Sequence, residues 1–429
     1  MKFSGKTLLV LGSNVSAPDI VRYAKDNGAH TIVADYYPES KSAAKRVADE
    51  SLLVSTADVD TLDEFVKTRR VDGVLAGIGE FNLLNAMELC ERNGLPFYCT
   101  RDQWDAISTK DRFRELCEQY EVPCPQTYYS GQYDERASFE AVRYPAVLKP
   151  VDASTSAGVH ICHSRKDLEV NLPDALSNSL SGRVIIEQFC EGDEFTAHFT
   201  VVNGKATLSC MDNRYPVRVH EGEVTSIPVA RIYPSLYLDE FQGMVSKRIE
   251  RMLEGIGLTN AVAFVQGLYD PEKGSFAIFE AGLRSAGEAP YRFIDKINGI
   301  NYIEILVDNA LSVRTSFDQG KEDPSLKERC CGIVSFVARG GVVGSIEGLE
   351  EAVSKCPRVL ECESRYPVGS ETPNGDTLHQ LMIRFVMLCE SRKQMAEDIA
   401  FLNESVSVKD VNGNNLVIKM TPNRVFGTQ

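Results

Sequence analysis

Residues 6 to about 100 alternate between short apolar runs and amphipathic stretches. The amphipathic stretches, such as APDIVRYAKDNG, have helical spacing and end at glycine, which commonly stops a helix. The apolar runs suit buried parallel strands, and they are TLLVLG, HTIVAD, SLLVS, DGVLAG and LPFYC. This order predicts a doubly wound, Rossmann-like α/β domain over residues 1–105, with open loops at the carboxyl ends of its strands.

The first turns of this domain suggest one alternative function. Gly12 lies in the first turn, and Asp35 ends the second strand, where an acid can bind the ribose of NAD. However, GSNVSAP lacks the glycines of GxGxxG, and without them a pyrophosphate cannot approach the helix N-terminus closely. An NAD-dependent oxidoreductase is therefore disfavoured.

Composition and charge exclude several further classes of protein. The formal net charge of −15 argues against nonspecific nucleic-acid binding, which needs a basic face. No apolar run approaches the ~18 residues of a membrane helix, and the N-terminus lacks the apolar core of a signal peptide. The twelve cysteines include no CxxC pair, which favours reduced thiols in a cytoplasmic protein. An acidic chain of this kind can hold a polyanion only through a local cluster of cations and metal.

The pattern of segments changes near residue 106. We expect a helix capped by Ser108 or Thr109, then several strands, including a hairpin that turns at Asn203-Gly204. From about residue 328 the chain becomes β-rich again, with a second hairpin predicted at 340–341 and a helix-like segment, TLHQLMIRFVMLCESRKQMAEDIAFLNE, after it. The whole chain is thus predicted to combine α/β and α+β architecture.

Two apolar segments joined by DPEKGS place a glutamine and a glutamate close together. If Tyr269 lies opposite Ala277, the register of this hairpin puts Gln266 opposite Glu280. Directly opposed side chains are about 5 Å apart at Cβ, so two oxygen ligands at these positions can share one Mg²⁺. A polar cross-strand pair without metal is the alternative.

A lysine and a loop of small residues follow another apolar strand, in YPAVLKPVDASTSAGV. Lys149 ends the strand, and Ser154, Ser156 and Gly158 belong to the loop, whose backbone N–H groups can close over phosphates as a lid.

The next strand ends in RVIIEQFCEGDEF, which places two acids near its exit from the core. Glu187 and the exposed backbone that follows it suit the amino edge of a purine, and Glu194 suits ribose hydroxyls. Each of these residues, taken alone, can also be an ordinary surface residue.

Five motifs in this order resemble the ATP-grasp superfamily. They are KD at 110, PAVLKP at 145, the small-residue loop ending in Gly158-Val159, IIEQFCEGDEF at 185, and a glutamine strand followed by FEAGLRSAGE. The resemblance is to the carboxylate–amine ligase type, including the L-amino-acid ligases, and also to biotin carboxylase and carbamoyl phosphate synthetase. It implies an ATP-grasp fold with an N-terminal Rossmann-like domain, a catalytic domain and a β-rich C-terminal domain, with the boundaries 1–105, 106–325 (lid about 112–186) and 326–429.

The resemblance also implies roles for individual residues. ATP is the nucleotide, and Lys110 and Lys149 contact its phosphates. Glu187 and the backbone near Cys190 hold adenine, and Glu194 holds ribose. Gln266 and Glu280 bind Mg²⁺ or Mn²⁺, and Arg284 steadies a phosphorylated intermediate. Glu288 faces the incoming substrate, where it holds an ammonium group or acts as a base.

The implied reaction joins a small-molecule carboxylate to an amine through an acyl phosphate, and the implied assembly is a homodimer. One departure from the superfamily bears on the metal site. Where the pattern ExNxR has asparagine, this chain has Gly282, so a second metal ion is held loosely or lost. Activation of bicarbonate, as in carbamoyl phosphate synthetase or biotin carboxylase, is an alternative, and an ATP-binding pseudoenzyme is a further one.

Overall fold

The computed structural model describes residues 1–133, 139–153, 157–219, 227–375 and 377–427. Its first part is a four-stranded parallel sheet in the order β3-β2-β1-β4, with helices packed on it. The elements are β1 Thr7–Leu11, α1 Ala17–Asp26, β2 His30–Ala34, β3 Glu50–Leu52, α2 Val59–Arg69, β4 Gly73–Ala76 and α3 Glu80–Asn93. The predicted doubly wound arrangement is confirmed for these strands.

The fifth apolar run, LPFYC at 95–99, is not a strand, so this prediction was wrong. Pro96 has no N–H to donate to a sheet. The segment instead packs its aromatic side chains inward, and the Tyr98 hydroxyl donates a hydrogen bond to the Leu283 carbonyl at 2.9 Å. It therefore ties the first sheet to the loop that carries the candidate site.

A second, antiparallel sheet has the order β5-β8-β6-β7. Two helices precede it, and one covers it; the elements are α4 Arg101–Ser108, α5 Lys110–Gln119, β5 Thr127–Gln132, β6 Ala146–Pro150, β7 His160–Cys162, α6 Arg165–Ser177 and β8 Arg183–Gln188. Thr109 is the N-cap of α5, but its side chain makes no capping hydrogen bond.

The largest sheet has nine strands, in the order β13-β12-β9-β10-β11-β14-β18-β16, with β20 paired to β14. Its first part comprises β9 Asp193–Val202, β10 Lys205–Val217, β11 Ile227–Tyr233, α7 Leu238–Phe241, a π-helical turn Gln242–Ser246, α8 Lys247–Gly255, β12 Ala261–Asp270 and β13 Ser275–Gly282. The predicted turn between β9 and β10 is confirmed, since Asn203 and Gly204 both have positive φ.

The remaining elements complete this sheet and form a small three-stranded one, β17-β15-β19. They are α9 Tyr291–Asn298, α10 Ile303–Ala310, β14 Cys330–Ala338, β15 Gly341–Glu347, α11 Leu349–Lys355, β16 Val359–Ser364, β17 Glu371–Thr372, β18 Leu381–Cys389, α12 Arg392–Ser405, β19 Ser407–Asp410 and β20 Val417–Ile418. Because β11 pairs with β14, the large sheet continues across the predicted division near residue 325. The predicted domain boundaries, including the lid, stay predictions.

Two predictions for the C-terminal part were wrong. Gly340 and Gly341 do not form a hairpin, because β14 pairs with β11, β18 and β20, whereas β15 pairs with β17 and β19. The glycines let the chain pass from one sheet to another. The segment expected to be helical contains a strand, because LMIRFVMLC at 381–389 forms β18 before α12 begins. Ile383 and Phe385 lie in one apolar core, and Val386 packs against another.

All twelve cysteines are free. In the part of the chain that the structure describes, no helix combines the length and apolar character that crossing a bilayer requires.

Gly158 in the predicted lid has a φ of +66°, which favours glycine, and it also lies against neighbouring atoms. A Cβ there would come within 2.9 Å of the Asn178 Cβ and of the Pro150 ring. Gly182 has the same φ but nothing within 4 Å of an added Cβ. Comparing alanine substitutions at Gly158 and Gly182 therefore separates the cost of backbone strain from the cost of close packing.

We expect Gly182→Ala to lower the free energy of unfolding by about 1 kcal/mol through backbone strain alone. Gly158→Ala should cost at least about 1 kcal/mol more, since the methyl group also displaces its neighbours. Urea unfolding of both variants measures the difference, and equal losses would show that packing at Gly158 is unimportant.

Candidate active site

A row of four polar side chains crosses four neighbouring strands of the nine-stranded sheet. Glu280 on β13 lies directly opposite Gln266 on β12, which lies opposite Thr196 on β9. Thr196 in turn lies opposite Asp212 on β10. Since directly opposed residues share one face of a sheet, all four side chains point to the same side. The predicted pairing of Gln266 with Glu280 is confirmed.

The register of this hairpin near its turn differs from the register that the sequence predicted. Tyr269 lies opposite Phe276 and not Ala277, so the expected register near the turn was wrong by one residue. An irregularity follows, where Gln266 pairs with Glu280 but Gly267 pairs with Ile278, which leaves Phe279 as an additional residue on β13. This bulge shifts the strand back by one position and restores the expected pair.

The Gln266 side chain has a defined orientation. Its amide nitrogen donates to the Thr196 hydroxyl at 3.4 Å, and that hydroxyl also accepts a hydrogen bond from Arg231 at 2.7 Å. With the nitrogen directed towards Thr196, the amide oxygen is left to act as a ligand beside the Glu280 carboxylate. The two oxygens are the kind of donors that Mg²⁺ prefers.

Arg231 holds two acids on this face of the sheet. Its guanidinium lies 2.8 Å from the Asp212 carboxylate and 2.8 Å from the Glu288 carboxylate. Burial raises the pKa of Glu288, but the positive charge of Arg231 outweighs this effect and leaves that pKa below its usual value. Burial raises the pKa of Asp212, which Arg231 opposes only in part. The predicted site residue Glu288 is therefore fixed in place and ionised.

Glu187 lies between two cations at the end of β8. Its carboxylate accepts hydrogen bonds from Arg114 on α5 and from Lys149 on β6. The Glu187 side chain is 1% exposed and that of Lys149 is 9% exposed. Burial raises the pKa of Glu187, but Lys149 and Arg114 outweigh it and keep the carboxyl ionised. Arg114 also donates to the Phe279 carbonyl at 2.9 Å, which joins this cluster to the bulge on β13.

Lys110 lies at the start of α5, beside the same cluster. Its ammonium group donates to the Ala153 carbonyl at 2.7 Å, at the entrance of the predicted lid. Burial lowers the pKa of Lys110, and the nearby carboxylates of Glu280 and Glu187 oppose that shift. Lys110 therefore interacts electrostatically with Glu280, the predicted metal ligand, and with Glu187, the predicted adenine-binding residue.

Arg284 follows β13 and reaches the first sheet. Its guanidinium donates to the Glu80 carboxylate at 3.2 Å and lies 4.9 Å from the centroid of the Phe264 ring. Phe264 is also the direct cross-strand neighbour of Gly282, where a Cβ would come within 2.7 Å of the ring. The aromatic ring therefore fills the space that an asparagine at position 282 would need, which explains the departure from the ExNxR pattern.

The other predicted site residues have different surroundings. Glu194 pairs with Arg214, and Cys190 is partly buried, which raises the pKa of its thiol. Ser154 and Ser156 lie outside the described residues. Gly158 is described, and it packs against Asn178 and Pro150. The roles predicted for all of these residues stay predictions.

Sequence reasoning missed five residues of this arrangement. Two signals could have found some of them: an arginine inside an apolar strand, IPVARIY, and an arginine one helical turn after Lys110. The missed residues are Glu80, Arg114, Thr196, Asp212 and Arg231.

Comparisons with known proteins agree with this architecture. A family model described as the D-ala D-ala ligase C-terminus matches residues 126–217. The L-amino acid ligase from Bacillus licheniformis superposes with a TM-score of 0.76 at 18% identity, over 95% of this chain and 99% of that one. The biotin carboxylase domain of 2-oxoglutarate carboxylase from Hydrogenobacter thermophilus superposes with a TM-score of 0.75 at 16% identity, over 98% and 94%. The chain has the ATP-grasp fold. The fold that the resemblance implied is confirmed.

Curated relatives match only part of their own length. The formate-dependent phosphoribosylglycinamide formyltransferase of Prochlorococcus marinus is 30% identical over 210 residues, which are 48% of this chain and 53% of that protein. The carbamoyl phosphate synthase large chain of Saccharolobus islandicus is 25% identical over 310 residues, 66% of this chain and 28% of that protein. The chain thus spans about half of the first relative and less of the second.

We expect Glu187→Gln to lower the free energy of unfolding at pH 7 by about 3 kcal/mol, since it leaves Arg114 and Lys149 buried without their shared counter-ion. The folded-state pKa of Glu187 lies below its usual 4.5, so its contribution is present above pH 4.5 and is lost as the pH falls through the lower value. Urea unfolding of wild type and variant from pH 7 downwards should show the gap narrowing only below about pH 4.5. Glu191→Gln, at an exposed position, is the control.

Arg231→Met should destabilise the protein by about 3–5 kcal/mol, because Asp212 and Glu288 then lack their cation. Adding Asp212→Asn should recover part of the loss, since one of the two unpaired charges is removed. Thermal and urea unfolding of the single and double variants check this, and simple additivity of the two substitutions would contradict a shared network.

Proposed function

We propose that this chain is an ATP- and Mg²⁺-dependent ligase that joins a carboxylate to an amine through an acyl phosphate and releases ADP and phosphate. The observation that carries the proposal is the opposed pair Gln266 and Glu280, followed on the same stretch of chain by Arg284 and Glu288. These residues have the order and spacing of the metal and phosphate residues expected from the ATP-grasp resemblance. A structural neighbour named as an L-amino acid ligase supports the same reaction class.

The residues present fit a nucleotide and a metal ion. Among the described residues, no cluster of three or more His, Cys, Asp or Glu side chains is placed to hold a metal by itself. Gln266 and Glu280 supply two oxygens, so a bound Mg²⁺ would take its other ligands from phosphate and water, as Mg²⁺ usually does. Because the Phe264 ring occupies the space at Gly282, we propose that the protein favours a single metal ion.

Electrostatics explains why a chain with a net charge of −15 gathers cations here. A carboxylate that attacks the terminal phosphate meets several negative charges, and each like pair at 4 Å costs roughly 4 kcal/mol at an effective dielectric of 20. The metal ion, when bound, neutralises part of the phosphate charge. Lys110, Lys149 and Arg284 are placed to neutralise the rest and to align the two reactants.

The chemistry proposed for the chain has two steps. A carboxylate oxygen forms a bond to the terminal phosphorus of ATP as the bond to ADP breaks, and an amine then attacks the acyl carbon and displaces phosphate. The lowered pKa of Glu288 makes it a weak base but a good partner for an ammonium group. We therefore assign Glu288 to binding the amine substrate, and the proton leaves to solvent or phosphate.

Glu280→Ala should reduce ADP formation at least about 100-fold while the fold is retained, since one of two protein ligands for the metal is removed. The assay supplies ATP and Mg²⁺ with a panel of carboxylates paired with amines and measures ADP and phosphate. Glu272→Ala, in the exposed turn of the same hairpin, is the matched control. Undiminished turnover in Glu280→Ala would refute the metal assignment.

The same panel tests the alternative that bicarbonate is the activated acid. This alternative is favoured by the likeness to the carbamoyl phosphate synthase large chain and by the bicarbonate named with the biotin carboxylase domain. ADP formation driven by bicarbonate without another carboxylate would replace the ligase proposal. Nucleotide binding without turnover across the panel would favour a pseudoenzyme. A homodimer and a cytoplasmic location remain predictions.

A further inference from the structure

A cavity of about 720 Å³ is lined by residues in and next to the nine-stranded sheet and by residues near the C-terminal end of the described chain. Small-molecule sites usually have volumes of roughly 300–1,000 Å³, so a ligand of ordinary size fits here. None of the predicted site residues that the structure describes lines this cavity, so it is a candidate for a separate site. The lining includes Asp193, Tyr237, Pro271, Asn423, Arg424 and Phe426.

The cavity lies on the opposite face of the sheet from the candidate active site. Successive side chains of a strand point to opposite faces, so residues three apart also point in opposite directions. On β9, Thr196 belongs to the polar row of the candidate active site, and Asp193 is three residues before it. On β10, Asp212 belongs to that row, and Tyr215, whose ring lies beside Arg424, is three residues after it. The sheet therefore separates the cavity from the proposed metal ligands.

Arg424 is the cation that lines this cavity, and no acid of the described residues forms an ion pair with it. Its buried Nε likewise has no hydrogen-bond partner within that part of the chain, which is costly for a polar atom. The guanidinium lies 5.7 Å from the centroid of the Tyr215 ring, which attracts the charge but does not neutralise it. Other arginines of the C-terminal part are each paired with a carboxylate, and they are Arg329, Arg358 and Arg365.

The segment that carries Arg424 is held firmly in place. It is a short 3₁₀ helix, Pro422–Phe426, and its Val425 side chain is fully buried in the apolar core of the C-terminal part. Arg392, at the start of α12, donates a hydrogen bond to the Val425 carbonyl at 2.6 Å. Arg424 and Phe426 flank this anchored residue, so their positions at the cavity are defined before any ligand binds.

The lining combines a cationic group with apolar surface. An arginine binds a carboxylate or a phosphate through two parallel N–H groups. Phe426 is 55% exposed, and its ring and Pro271 offer a surface against which a flat apolar group can pack. Asp193 also lines the cavity, but the Tyr237 hydroxyl donates a hydrogen bond to its carboxylate and offsets part of its charge. The ligand chemistry that fits best is an anionic group attached to a ring.

We propose that this cavity is a second ligand site, which takes a small aromatic anion whose carboxylate or phosphate pairs with Arg424 and whose ring packs against Phe426. The inference goes beyond the proposed ligase function and does not depend on it. A ligand in this cavity would also contact Pro271, in the turn of the hairpin that carries Gln266 and Glu280.

The test titrates the full chain with four small probes at constant ionic strength and follows binding by ligand-observed NMR. Benzoate and phenyl phosphate have both ring and anion, benzamide has the ring without the charge, and acetate has the charge without the ring. We expect benzoate or phenyl phosphate to bind with a Kd of about 1 mM or lower, and the tighter of the two identifies the anionic group. Benzamide and acetate should each bind at least about 10-fold more weakly, since each lacks one of the two interactions.

Variants of the lining test the two interactions separately. Arg424→Gln should lower the affinity for the aromatic anion at least about 10-fold and leave that for benzamide unchanged. Phe426→Ala should lower it by about 5-fold and leave that for acetate unchanged. Asn423→Asp, at an exposed position, adds a negative charge and should also weaken the anion by about 5-fold or more. Arg329→Gln, whose arginine pairs with Glu390, is the control and should bind as wild type.

A second titration in the presence of saturating ADP and Mg²⁺ separates this site from the proposed nucleotide site. We expect the affinity for the aromatic anion to be unchanged, because the cavity is on the other face of the sheet. Competitive displacement by ADP overturns the proposal, since the probe would then occupy the cations assigned to the phosphates. If ADP itself does not bind, the ligase proposal fails, whereas binding that depends on Arg424 still supports the second site.

The remaining outcomes decide the proposal directly. Absence of saturable binding of both aromatic anions overturns it, and so does equal affinity for benzoate and benzamide. Unchanged affinity in Arg424→Gln or in Phe426→Ala overturns it as well. Circular dichroism verifies that each variant is folded, and if Arg424→Gln is not, the substitutions at exposed Asn423 and Phe426 give the result.

Discussion

The interaction on which the candidate site depends most is the buried contact of Arg231 with Asp212, Thr196 and Glu288. A guanidinium inside an apolar strand is costly unless every charge near it is paired. Here one cation serves two acids from different parts of the chain, and it also fixes the hydroxyl to which Gln266 donates. The network thereby links the orientation of a proposed metal ligand to that of a proposed substrate-binding acid, and it does so on a rigid strand.

A second cluster fulfils the same electrostatic requirement near the predicted lid. Glu187 neutralises both Arg114 and Lys149. Two cations remain charged in a site this buried only when an acid is paired with them. An unpaired lysine at 9% exposure would lose its proton or destabilise the fold. Since Arg114 also contacts the Phe279 carbonyl, the cluster and the bulge on β13 support each other.

The packing around Gly282 also positions Arg284, a predicted site residue. Phe264 fills the space above the glycine, and Arg284 lies over the same ring while it contacts Glu80 in the first sheet. The Phe264 ring thus packs over Gly282 and also contacts Arg284. A cation over an aromatic face is stabilised by up to about 2 kcal/mol, so this contact helps to hold Arg284 in place.

Local patterns in the sequence determined the parallel sheet and the hairpin at Asn203-Gly204, because these depend on the periodicity and turn preferences of neighbouring residues. The ATP-grasp fold was predicted from a resemblance of ordered motifs. The pairing of Gln266 with Glu280 was also predicted, although it depends on a bulge that no local pattern indicated. Only the tertiary structure decided which residues meet Arg231, that Arg114 and Lys149 share Glu187, and that residues 381–389 form a strand. Those contacts join segments far apart in the chain, and long-range pairing is selected by the burial of whole faces and by charge neutralisation, which no short window of sequence contains.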